Sequence, residues 1–96
     1  MSIIYYNKIL IFLQQVAWLK VSTATVLSFN DILITRNNRI SVKKEEGEKN
    51  VRNWKLVIND VKEKDKGMYM CQLNTDPTEA QTVYLEVTSK YIHPYF

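Results

Sequence analysis

The residues able to do covalent or acid–base chemistry are few in this chain, and they are scattered. Cys71 is the only cysteine and His93 the only histidine. A thiolate nucleophile needs a base within hydrogen-bond reach and a third group to orient that base. His93 instead lies in the tail Lys90-Tyr91-Ile92-His93-Pro94-Tyr95-Phe96, well past the segment that holds Cys71. One cysteine and one histidine also fall short of the roughly four ligands of a zinc site. Gly47 and Gly67 are the only glycines, so there is no glycine-rich loop to cradle a phosphate. The expectation is a chain with no catalytic set, no metal and no cofactor. The spacing that does carry information is Asp65-Lys66-Gly67-Met68-Tyr69-Met70-Cys71. On a strand, side chains alternate between faces, so Tyr69 and Cys71 share one face and Met68, Met70 and Gln72 the other.

The elements that must hold this segment are short and extended. Val16–Val21, Thr25–Phe29, Ile32–Thr35, Arg39–Val42, Trp54–Ile58, Met68–Leu73 and Thr82–Val87 are β-rich runs separated by polar punctuation, the spacing of an all-β sandwich. Apolar residues alternate in Trp54-Lys55-Leu56-Val57-Ile58 and in Val83-Tyr84-Leu85-Glu86-Val87, as in strands with one buried face. No stretch of helical period competes with them. The run 59–66 is polar and of a length for a connection or a single helical turn. The charge-balanced run Lys43-Lys44-Glu45-Glu46-Gly47-Glu48-Lys49 reads as a solvated hairpin tip with Gly47 in the turn.

With 96 residues there is room for one domain, and a net charge of +3 spread along the chain gives no basic stripe for nucleic acid. A domain this small buries about 60–65% of its unfolded surface and commonly leans on a staple such as a disulfide, for which Cys71 has no partner in the chain. Residues 1–15 differ from the rest. Ile3-Ile4-Tyr5-Tyr6 and Ile9-Leu10-Ile11-Phe12-Leu13 crowd apolar residues around Lys8 without clean alternation. Two readings stand for this atypical segment. One is a secretory signal, which wants a basic start and an apolar stretch of about 7–15 residues. The other is a substitute strand whose register nothing fixes.

The stretch from Asp65 to Cys71, taken with Val16-Ala17-Trp18-Leu19 upstream, resembles the immunoglobulin superfamily. In that fold a strand-C tryptophan packs on a disulfide between strands B and F, and a tyrosine two residues before the second cysteine closes a corner onto the backbone. Trp18, Tyr69 and Cys71 match these by type and spacing, and the resemblance implies that Arg39 clasps Asp65. Val16-Ala17-Trp18-Leu19-Lys20, 34–42 and Tyr69-Met70-Cys71-Gln72-Leu73-Asn74-Thr75-Asp76-Pro77 look like arthropod lachesin and its neuronal relatives, the interacting proteins of the defective-proboscis-extension-response receptors. The resemblance implies an all-β, immunoglobulin-like (V/I-set) sandwich over 16–88. Strands C to G would be present, strands A and B missing or substituted, the N-terminus truncated, and 89–96 a C-terminal tail. Its structural residues would be Trp18, Arg39, Leu56, Asp65, Gly67, Tyr69, Cys71 and Leu85.

Members of that family are secreted or plasma-membrane-associated adhesion proteins of neurons, synapses and epithelia, so the resemblance implies extracellular binding to other immunoglobulin domains, homophilic or heterophilic. No nucleic acid or small-molecule substrate is expected. Family members dock through the C-C′-C″-F-G face. Parity then selects Leu19, Leu27, Ile32, Met68, Met70, Gln72, Asn74 and Tyr84 as partner-binding residues, with Phe29 and Leu33 extending the face. The alternative is a non-functional or decoy fragment of such a protein, lacking the disulfide. No Asn-x-Ser/Thr acceptor occurs anywhere in the chain.

Overall fold

The computed structural model describes residues 2–10, 15–48, 51–73, 78–87 and 92–95, the first and last of these runs by their backbone pairing. Among the described residues nine strands follow one another: β1 Ser2–Leu10, β2 Val16–Lys20, β3 Thr25–Phe29, β4 Ile32–Leu33, β5 Ile40–Glu46, β6 Val51–Asn59, β7 Gly67–Leu73, β8 Glu79–Val87 and β9 Ile92–Tyr95. They form a three-stranded sheet, β1-β6-β5, and a six-stranded sheet, β4-β3-β2-β7-β8-β9, in which every pairing is antiparallel. This is the strand plan of an immunoglobulin-type sandwich. β2, β3, β4, β7 and β8 take the places of strands C, C′, C″, F and G; β5 and β6 take those of D and E.

Strand parity builds the core. Along β7, Gly67, Tyr69, Cys71 and Leu73 are buried while Met68 is exposed and Met70 and Gln72 are half-buried. Val83 and Leu85 of β8 and Val16 and Trp18 of β2 point the same way, and Trp54, Leu56 and Ile58 of β6 answer them from the other sheet. Trp18 stands directly opposite Cys71, inside the cluster that also holds Leu56 and Leu85. Val57, placed by alternation on the outer side of β6, is buried as well.

Three expectations change here. Of the two readings of 1–15, the substitute strand carries the expectation of an unfixed register, yet Ser2–Leu10 runs in unbroken register with β6 from Ser2↔Asn59 to Leu10↔Val51. It occupies the place of strand B, next to strand E. An open backbone edge on β6 selects any β-prone segment able to reach it, since ladder hydrogen bonds do not read side chains. The tail also departs from expectation, because Ile92–Tyr95 adds a strand to the far edge of the larger sheet. Residues 11–14, 88–91 and 96 lie outside the described residues.

The third change concerns Leu27. A shift of register between Trp18 and Leu19 pairs Trp18 with Ser28 but Leu19 with Val26, which leaves Leu27 as the extra residue of a β-bulge. Consecutive residues Leu27 and Ser28 therefore both turn inward and are buried, and Val26 takes the outer position. Simple alternation puts Leu27 outside; the bulge inverts parity from that point.

Candidate functional site

The site is built on the corner that fixes strand β7. Before β7 the chain makes a 3₁₀ turn, Glu63–Asp65, and Asp65 points inward with 4% of its surface exposed. Arg39 Nη1 donates to Asp65 Oδ2 at 2.7 Å and Nη2 to Oδ1 at 2.8 Å, a two-pronged clasp that ties the start of β5 to the turn. Arg39 Nη1 also donates to the carbonyl of Asp60 at 3.0 Å, and the Lys62 amide donates to Asp65 Oδ2 at 2.7 Å. Burial alone would raise the Asp65 carboxyl, but the Arg39 clasp, the Lys62 amide and the charge of Lys20 together hold it below the usual carboxylate range. The clasp likewise raises Arg39 against the effect of its own desolvation.

Tyr69 closes the corner. Its buried hydroxyl donates to the carbonyl of Asp65, and burial followed by the nearby Asp65 charge pushes the phenol well above its ordinary range. Lys20 Nζ lies 5.7 Å from the centre of the Tyr69 ring and donates to the Lys64 carbonyl at 2.9 Å. Burial lowers the Lys20 ammonium, with the Asp65 charge working the other way. Gly67 makes the approach possible. Its φ is +139°, and a Cβ there would sit 2.2 Å from Ser22 Oγ, the atom that accepts the Met68 amide.

With Tyr69 and Cys71 locked inward, the outer face of the larger sheet is set by register. One row crosses the strands as Ile32, Phe29, Ala17, Gln72 and Ala80, and a second as Val26, Leu19, Met70 and Thr82. Met68 stands opposite Tyr84 at the near end. Ile32 is 63% exposed, Tyr84, Phe29, Val26 and Met68 lie between 38% and 42%, and Leu19, Met70 and Gln72 are half-buried, whereas Leu33, expected to extend this face, stands opposite the inward Ser28 and so belongs to the other side of the sheet. A depression of about 310 Å³ lies between Gln15, Ala17, Leu19, Val26, Phe29, Gln72, Leu73 and Thr78. Among the described strand residues, Glu86 is the charged side chain that alternation places on this face. The smaller sheet contrasts with this, since Lys55 pairs with Glu45 at 3.0 Å and Arg52 with Glu46 at 2.8 Å.

Of the residues expected at the partner face, the structure gathers Leu19, Ile32, Met68, Met70, Gln72 and Tyr84 on one surface. Leu27 is in the core and Asn74 lies outside the described residues. Sequence reasoning missed Val26, which the bulge turns outward; nothing short of the β2–β3 register could have found it. Trp18, Leu56, Leu85, Tyr69, Cys71, Asp65, Arg39 and Gly67 all sit at the core or the corner. Among the described residues no cluster of three or more histidine, cysteine, aspartate or glutamate side chains could hold a metal. No helix among them is long and apolar enough to cross a membrane.

No family model matches the chain. The Zwei Ig domain protein zig-8 of Caenorhabditis elegans is 30% identical over 73 residues, which are 76% of this chain and 26% of that protein. The chain thus spans about a quarter of that relative's length. A chain in the crystal structure of Dpr1 IG1 bound to DIP-eta IG1 is 36% identical, with 91% of this chain and 80% of that one covered and a TM-score of 0.70. For the RIG-5 IG1 homodimer the identity is 31%, the coverage 91% and 82%, and the TM-score 0.75. Identity at this level over most of each crystallised domain, with the same sandwich beneath it, shows that the chain belongs to the immunoglobulin superfamily, as a domain homologous to the first immunoglobulin domains of the Dpr/DIP and ZIG-8/RIG-5 proteins.

Proposed function

We propose that this chain is an extracellular recognition module of a lachesin- or DIP-like adhesion protein, secreted or held at the plasma membrane of neurons, and that it binds the immunoglobulin domains of other cell-surface proteins. The observation that carries this reading is the outer face of β4-β3-β2-β7-β8, whose rows are apolar and nearly free of charge. Exposed apolar side chains gathered on one face of a small domain mark a contact surface. Methionine adapts to a partner's shape and tyrosine anchors it. A standard interface of ~1,600 Å² would draw on Leu19, Val26, Phe29, Ile32, Met68, Met70 and Tyr84 together. The crystallised relatives supply precedent in kind, one as Dpr1 IG1 bound to DIP-eta IG1 and one as an IG1 homodimer of RIG-5.

Sedimentation velocity of the full chain, alone and mixed with lachesin-like first domains, tests the face. Met70→Asp places a charge at the middle of a row and should weaken association on the order of 30-fold, about 2 kcal/mol. Lys43→Asp, on the opposite sheet, should leave it intact. Equal effects of the two would overturn the proposed face.

The single cysteine favours a second reading, a decoy or non-functional fragment whose sandwich lacks the disulfide staple. A cooperative melting transition at 37 °C or above, together with association, supports the module; a chain unfolded at that temperature supports the fragment.

A further inference from the structure

The outer backbone edge of β8 is the boundary of the larger sheet's core, and β9 pairs with it over Tyr84↔Tyr95, Leu85↔Pro94, Glu86↔His93 and Val87↔Ile92. That cover is thin. Among the described residues it spans four residues of a nine-residue strand, and one of the four is Pro94, which has no N–H to give to the ladder. The strand beneath it, Glu79-Ala80-Gln81-Thr82-Val83-Tyr84-Leu85-Glu86-Val87, contains no proline, glycine or lysine to discourage pairing. We propose that the β8 edge is a strand-accepting site for a second copy of this chain, and that β9 occupies it in cis.

The occupant follows from symmetry and charge. Two β8 strands meeting antiparallel about Val83 set Glu79 against Val87 and Glu86 against Ala80, so neither glutamate faces another. The β-prone centre Thr82-Val83-Tyr84 would then pair with itself, extending two sheets into one across a twofold axis. The contact uses the rim of the sheet and its backbone, so it is separate from docking on the outer face and does not rest on that reading.

The test compares the full chain with a chain ending at Val87 in sedimentation velocity, with far-UV circular dichroism to follow strand content. Shortening should raise the dimer fraction at least tenfold, and a peptide of residues 88–96 added in excess should reverse the gain. Because adjacent N–H groups of a strand point to opposite sides, the full-length double variant Ile92→Pro, His93→Pro removes one donor from the β9–β8 ladder in either phase, and it should dimerise as the shortened chain does. Met70→Asp introduced into the shortened chain should leave that dimer in place. The proposal is overturned if shortening and the double variant leave the sedimentation unchanged, if both unfold the sandwich, or if Met70→Asp abolishes the new dimer, which would assign it to the outer face.

Discussion

The corner at Asp65 concentrates the residue-level energetics. Tyr69 donates into the backbone that Asp65 contributes, Arg39 grips the Asp65 carboxylate with both nitrogens, and Gly67 supplies a backbone shape no other residue takes comfortably. Replacing Tyr69 by Phe leaves a buried acceptor without its donor and should cost about 1–3 kcal/mol in urea unfolding. Arg39→Met removes charge-assisted hydrogen bonds from a buried carboxylate, and the same measurement should show a loss of about 1.5–3 kcal/mol. The clasp also sets a pH dependence. Asp65 titrates below its ordinary value when folded, so as pH falls the unfolded chain takes up its proton first. The stability it contributes is complete above about pH 4, the unfolded carboxyl's range, and is lost as pH drops through the folded value. Urea midpoints measured from pH 7 down to pH 2.5 should decline below about pH 4, and Arg39→Met should flatten that decline.

At the scale of elements, the bulge in β3 decides which side chains are core and which are surface. Leu27 is 3% exposed and its neighbour Val26 39%, the reverse of what alternation through Phe29 assigns. Leu27→Ala should therefore behave as a core truncation, costing about 2–5 kcal/mol, while Ile32→Ala on β4 should stay within about 0.5 kcal/mol and act on association instead. A large stability loss at Val26→Ala with none at Leu27→Ala would restore the simple alternation. Ser28, opposite Trp18 and inward by regular alternation from Phe29, is buried with no hydrogen-bond partner for its hydroxyl, and the Trp18 indole N–H is likewise unpartnered.

For the whole molecule, the two sheets differ in what they offer to solvent. The smaller sheet carries ion pairs and the larger one apolar rows, and the sandwich brings them to opposite sides. Its core closes around Cys71, the single cysteine of the chain. A native disulfide in a small secreted domain is worth about 2–5 kcal/mol, so this domain has to stand on packing and on the Asp65 corner. A reducing agent should consequently leave its thermal midpoint unchanged. A drop in that midpoint on reduction would reveal a covalent link between chains through Cys71.

What the sequence determined by itself is the part written in local spacing. Period-two runs name the strands, Asp-x-Gly-x-Tyr-x-Cys marks the corner, and the pairing of Tyr69 with Cys71 fixes which side of β7 is core; each follows from backbone geometry over a few residues. The tertiary structure alone decided the register. It drew Ser2–Leu10 onto β6 and Ile92–Tyr95 onto β8, where open edges accept strands by backbone hydrogen bonds that leave no side-chain signature. It also placed the bulge that exchanges Leu27 for Val26, because a bulge is a property of two strands brought together and neither strand encodes it on its own.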